Sequence, residues 1–205
     1  MRSYKTVIGN TESLFTIERS KFICNLKGVE NEEEAKEFLL EIRKRHSLAN
    51  HNCYAYIADE SGLIQKFSDD GEPQGTAGMP MLNVLKSKAL YKTIAVVTRY
   101  FGGIKLGAGG LVRAYGNAVA ETVKEAQICE MVFSSVYDVR ASYATYEKLS
   151  VGIIKRAKII SKEFGDGVIL NCAVKYEDKE NFENFLKESD FNIKVSEKGE
   201  GYFPF

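Results

Sequence analysis

The chain has 205 residues, 44% hydrophobic and 27% charged, which suits one large or two small folded domains and excludes a disordered or low-complexity chain. Basic and acidic residues balance at 28 each, so a role with polyanions would rest on where the charges sit and not on the total. The longest apolar runs, such as Ile94–Val97, are too short for a membrane-spanning helix, and the opening MRSYKTVIGNTES has no apolar leader core. The expected location is therefore the cytosol. Cys24, Cys53, Cys129 and Cys172 are scattered without a CxxC pair, which argues against a zinc ribbon or a redox motif.

Taken in chain order, Tyr4–Ile8, Leu14–Glu18 and Lys21–Lys27 read as short strands. Asn31 with Glu34 marks a helix start, and Ala35, Phe38, Leu39 and Ile42 form its apolar stripe. Three glutamates at its beginning and Arg43, Lys44 and Arg45 at its end complement the helix dipole, so that charge run is a solvated face. His51–Ala58 and Leu63–Phe67 read as a strand pair around Glu60-Ser61-Gly62. Ser68–Gly78 is a loop, and Pro80 suits the first position of a short helix carrying Leu82 and Leu85. Thr93–Thr98 lacks alternation, as a central buried strand would. A helix is expected from about Gly110 to Gln127, with Leu111, Ala114, Tyr115 and Ala118 inward.

After about Val132 the pattern restarts. A strand at Val136–Ala141 is followed by a helix capped by Ser142. A hairpin turns at Gly165-Asp166-Gly167, and a second helix after Asp178 carries Phe182, Phe185 and Leu186 inward. A last strand falls at Asn192–Ser196, extended by the terminal aromatics. This βαββαβ order is that of ferredoxin-like domains. The expected organisation is α+β with two domains, residues 1–131 and 135–205.

Three features converge between Ser68 and Tyr115: the segments SDDGEPQGTAG and RYFGGIKLGAGGLVRAYGNA, and a run from Pro73 to Ala120 with no acidic residue. That run holds Lys86, Lys88, Lys92, Arg99, Lys105 and Arg113, which implies a local positive field. Gly102, Gly103, Gly107, Gly109 and Gly110 permit positive φ and close ligand approach, and the following helix start favours an anion. Arg113 is placed in its first turn, where a cation is unfavourable unless a negative partner offsets it. The competing reading is a tight strand-to-helix turn and solvated cations. GxGxxG is not completed, because Val112 replaces the third glycine, and Walker A fails at Ala108 and Gly109. No cofactor is expected.

Asp69, Asp70 and Glu72 suit either magnesium and acid–base chemistry or a turn whose acids pair with nearby bases. His51 and Cys53 share a strand face, but adjacent same-face positions lie about 6–7 Å apart along a strand and core packing is the better account; His51 borders the site. Tyr100 and Phe101 are candidates for stacking, whereas Tyr115 sits on the buried stripe. The candidate anion- or partner-binding set is Asp70, Glu72, Arg99, Tyr100, Gly102, Gly103, Lys105, Gly107, Gly109, Gly110 and Arg113, with no catalytic or metal-binding residue assigned.

HNCYA at His51–Ala55, DGEPQGTAGMP and VVTRYFGGIKLGAGGLVRAY together resemble the signature of the IMPACT family, whose bacterial members include the YigZ proteins. The resemblance covers residues 15–127 strongly. It implies an N-terminal α+β domain of the type shared by a small-ribosomal-subunit protein, a translocase domain and the GHMP kinases. It also implies a C-terminal domain similar to one in elongation factor G. Eukaryotic relatives restrain the kinase that phosphorylates an initiation factor, using a further N-terminal domain not recognisable in this sequence. For bacterial members the resemblance implies contact with nucleic acid or the ribosome.

The leading expectation is a non-catalytic translation factor or regulator that binds RNA, a ribosomal particle or a translation protein, its footprint extended by Lys155, Arg156, Lys158 and Lys162. The alternatives are a phosphoryl-transfer or hydrolytic enzyme using Asp69, Asp70 or Glu72 with the glycine loop, and a protein–protein module.

Overall fold

The computed structural model describes residues 3–188 and 192–205. The chain divides into two compact units, Tyr4–Glu130 and Met131–Phe205. In the first, a five-stranded antiparallel sheet runs in the order β2-β3-β6-β4-β5, with β2 Asn10–Ile17, β3 Ser20–Gly28, β4 His51–Ile57, β5 Gln65–Ser68 and β6 Thr93–Tyr100. A short strand β1, Tyr4–Val7, runs beside Leu90, bonded through Lys5 to Ala89 and Tyr91. Helix α1, Glu32–Arg45, covers one face of the sheet. Helices α2, Gly78–Ser87, and α3, Gly107–Glu125, cover the other.

The unbroken apolar run in β6 follows from this sandwich. Both its faces are covered, and every residue from Thr93 to Arg99 is buried. Phe22, Cys24 and Leu26 point towards α2 and α3, against Met81, Leu85, Leu111 and Tyr115. Each such large apolar side chain contributes about 1.5–3 kcal/mol on burial.

Local signals account for α1. Asn31 Oδ1 accepts from the Glu34 N–H at 3.0 Å, while Glu34 reaches back to the Glu30 N–H at 2.9 Å. This variant of the capping box satisfies two donors with one carboxamide and one carboxylate. Helix α2 starts two residues before Pro80, which leaves that proline inside the first turn, where its missing N–H costs nothing. The helix from about Gly110 begins instead at Gly107.

The second unit has strands β7 Ile128–Ala141, which starts in the first unit, β8 Lys158–Phe164, β9 Val168–Lys175 and β10 Ile193–Pro204. Helices α4, Tyr143–Ile154, and α5, Lys179–Glu188, complete it. Strands β10, β7, β9 and β8 lie in that order, each antiparallel to the next, which is the ferredoxin-like arrangement, and β1 also pairs with the long β7. Ser142 Oγ caps α4 by accepting from the Thr145 N–H. The core joins Tyr137, Val139, Leu149, Ile153, Leu170 and Phe182. The last strand is longer than Asn192–Ser196, because β10 pairs with β7 as far as Pro204, with an irregularity between Glu197 and Gly199.

Candidate functional site

The Ser68–Gly78 loop is held by its own acids. Asp69 accepts from the Gly75, Ala77 and Gly78 N–H groups at 2.8, 2.9 and 2.8 Å, so it caps the start of α2. Burial pushes its pKa up, but these three N–H donors outweigh that and leave it below the ordinary aspartate value. Asp70 accepts from Arg43 at 2.9 Å and from the Asn52 N–H at 2.7 Å. Its carbonyl accepts from His51 Nδ1 at 2.8 Å, which fixes the ring with that nitrogen protonated. The Cys53 thiol donates to the Asp69 carbonyl at 2.9 Å. Burial pushes this thiol up to about 12, so it is no nucleophile at neutral pH.

Glu72 goes deeper. Its side chain is 4% exposed and accepts from Arg99 Nη1 and from the Tyr115 hydroxyl, each at 2.7 Å. Arg99, 6% exposed along its side chain, lies between the rings of Phe22 and Phe101, 5.3 and 5.4 Å from their centroids, and also donates to Ser20 Oγ at 3.3 Å. Burial raises the Tyr115 hydroxyl, reinforced by Cys53 and Glu72, and keeps it a donor. His51 Nε2 stands 3.9 Å from Glu72. Arg99 and Glu72, both in the expected anion- or partner-binding set, thus form a buried ion pair beneath the loop surface, in line with the alternative that the loop acids pair with nearby bases. Asp69, Asp70 and Glu72 are all committed to internal partners. Among the described residues no group of three or more His, Cys, Asp or Glu is placed to hold a metal.

At the neighbouring sheet end, Gly102 is required by a close approach. A Cβ there would stand 2.0 Å from the Arg19 carbonyl carbon. Its N–H donates to Ser20 Oγ at 3.1 Å, and the Phe101 N–H donates to Asn50 Oδ1 at 2.8 Å. The opposing turn, Glu18-Arg19, has positive φ at both residues, 45° and 65°, a type I′ geometry normally left to Asn and Gly. This strained turn projects exposed Arg19 beside exposed Lys21.

Of the five loop glycines only Gly103 and Gly107 adopt positive φ, at 87° and 70°. Gly109 and Gly110 lie inside α3, because the helix starts earlier than its glycine density implies. Arg113 accordingly falls in the second turn and not the first. Its guanidinium nevertheless reaches back along the helix, with Nη1 3.7 Å from where a Gly109 Cβ would stand. The N-cap position, Leu106, supplies no side-chain cap. Lys105 and Arg113 are exposed, and neither has an ion-pair partner among the described residues. Lys92, by contrast, is paired with Glu30 at 3.0 Å. Tyr100, half-buried, is 3.0 Å from His46 Nδ1.

Residues outside the expected site set also hold the site together: Ser20, Arg43, Asn50 and Asn52, and the Thr98 hydroxyl, which donates to Asn52 at 2.7 Å. Ser20, Arg43, Asn50 and Asn52 lie far from Gly102 and Gly103 in the chain, whereas Thr98 sits just before them, and the pairing of β4 with β6 sets Asn52 opposite Thr98.

These features define a two-domain α+β protein whose N-terminal unit carries a glycine-rich strand-to-helix connection clamped by a buried Glu–Arg–Tyr network. Residues 18–123 match the Impact N-terminal domain family, and the chain belongs to the IMPACT family. It is 43% identical to IMPACT family member YvyE of Bacillus subtilis, across 94% of this chain and 83% of that protein. A crystal structure of a hypothetical protein is similar over 95% of this chain and 97% of that one, at 31% identity and a TM-score of 0.63. Protein IMPACT of Danio rerio is 34% identical over 49% of this chain, which spans 32% of that longer protein. Among the described residues no helix is long and apolar enough to cross a membrane.

Proposed function

We propose that this protein is a cytosolic, non-catalytic regulator or accessory factor of translation that binds RNA, alone or within a ribosomal particle, through the connection between β6 and α3. The observation that carries this reading is the placement of Lys105 and Arg113. Both are exposed, without acidic ion-pair partners among the described residues, at a helix start that has no side-chain cap. Helix N–H groups and two cations there offer a phosphate both hydrogen bonds and charge. Arg19 and Lys21 extend the same end of the sheet, and Phe101, 45% exposed, supplies a face for a base. Membership of the IMPACT family supports a translation partner. Asp69, Asp70 and Glu72, bound internally, disfavour the phosphoryl-transfer alternative.

The test is binding of a fluorescent single-stranded RNA and of purified ribosomal subunits at low salt. The K105E/R113E variant is expected to bind both at least ten-fold more weakly with unchanged circular dichroism. Unchanged affinity overturns the reading.

A protein partner is the second reading, favoured by the exposed apolar residues Phe101, Ile104 and Val112 among these cations. Ribosome association that survives on ribonuclease-stripped particles and is lost in Phe101→Ser selects it.

A further inference from the structure

The second unit contains a cleft of about 1060 Å³ between one face of α5 and the segment joining α4 to β8. Its walls carry Lys155, Arg156, Lys158 and Lys175 against Asp178 and Glu188, four basic against two acidic side chains, so their side-chain charge is +2. None of the four cations has an ion-pair partner among the described residues. Lys155 and Arg156 stand at the C-terminal end of α4, where the helix dipole accounts for them. Lys158 and Lys175 have no such explanation. They come from adjacent strands, β8 and β9, and their ammonium groups both lie over the ring of Phe205, 6.0 and 5.3 Å from its centroid. Two like charges gathered at one ring repel each other, and an anion between them would relieve that repulsion.

The cleft also has an aromatic side. The Arg156 guanidinium is stacked 4.2 Å from the Phe185 centroid and spends one donor on the Gly152 carbonyl at 3.1 Å. Phe182, fully buried, is part of the lining, and Asn181 and Asn184 present amides that both donate and accept. Cations beside π faces and carboxamides match a ligand with a dianionic end and a flat hydrogen-bonding end. The volume admits a ligand of mononucleotide size.

We propose that this cleft binds a nucleoside phosphate, its phosphate between Lys158 and Lys175 and its base against the Phe185–Phe205 side. The ligand is either a free nucleotide or one nucleotide unit of an RNA strand, and the two sources share this chemistry. The inference does not rest on the proposed role of Lys105 and Arg113, which lie in the other unit.

The test uses the full chain labelled with nitrogen-15 and titrated with AMP, with ribose 5-phosphate and with a ten-residue oligoadenylate. Expected are amide shifts at residues 155–158 and 181–185 with AMP. Affinity for AMP, read from these amides, should fall roughly ten-fold or more in K158E/K175E, from loss of charged contacts. Phe205→Leu, which keeps apolar volume, is expected to erase the advantage of AMP over ribose 5-phosphate. Oligoadenylate binding tighter than AMP at the same amides identifies an RNA strand as the source, and AMP binding as tightly or more so identifies a free nucleotide. No shifts at millimolar AMP or oligoadenylate, shifts indifferent to K158E/K175E, or ribose 5-phosphate binding as tightly as AMP to the parent chain each overturn the proposal.

Discussion

Arg99 Nη1 lies 2.7 Å from Glu72 Oε1, and both side chains are almost wholly buried. The pair joins the central strand to the glycine-rich loop, and the Tyr115 hydroxyl ties it to α3. Removing one partner strands the other charge out of water. Glu72→Ala and Arg99→Ala are each expected to cost about 3–5 kcal/mol of folding stability, read from urea unfolding. The apolar double replacement Glu72→Leu/Arg99→Met should cost less than the sum of the singles, because it leaves no uncompensated charge. Loss of RNA binding in Arg99→Ala would therefore report on folding as much as on contact, which is why Lys105 and Arg113 are the informative positions.

Asp69 has a lowered pKa in the folded chain through the N–H groups of Gly75, Ala77 and Gly78. Its contribution is complete above the unfolded aspartate range, near about pH 4, and is lost as pH falls through the folded value. Asp69→Ala is expected to destabilise the chain by about 1–2 kcal/mol at pH 7. The gap to the parent protein should narrow on acidification below about pH 4, measured by thermal unfolding across pH.

Gly102 and Gly75 separate two reasons for glycine. At Gly102 a methyl group meets the Arg19 backbone, so Gly102→Ala must displace the β2–β3 turn and is expected to cost about 3 kcal/mol or more. Gly75 has φ +78° but open space around it. Gly75→Ala should cost only the left-handed strain, about 1–2 kcal/mol. Equal losses in the two variants would refute the close-approach account.

Salt dependence separates phosphate contact from other binding. If Lys105 and Arg113 each neutralise one phosphate, K105A/R113A should flatten the slope of log K against log salt by about 1.4 for a single strand. A slope that does not change places the contacts elsewhere.

All four cysteines are free thiols, and burial pushes Cys24, Cys53 and Cys172 up to about 12. Cys129 is only half-buried. Under native conditions at pH 8 a thiol-specific reagent should label Cys129 first and the other three only on unfolding, as peptide mapping would show. Rapid native labelling of Cys53 would contradict its bond to the Asp69 carbonyl.

The sequence by itself determined the order of elements, the Asn31 and Ser142 caps, the buried character of β6, the two hairpins and the ferredoxin-like plan. These rest on signals a few residues long: a cap and its N–H, an apolar period, a Gly-Asp-Gly turn. The same local logic placed the start of α3 three residues late, because glycines read as loop even where the chain is helical. Only the tertiary structure decided what the charges do. Arg99 and Glu72 look alike in sequence to their exposed neighbours, but strand register and the fold of the loop bring them together away from water. Lys105 and Arg113 stay outside. Asp69 becomes a cap for a helix that starts nine residues later, and Lys158 and Lys175 meet over Phe205 through strand pairing. Charge acts through distance and burial, and neither is a property of sequence spacing.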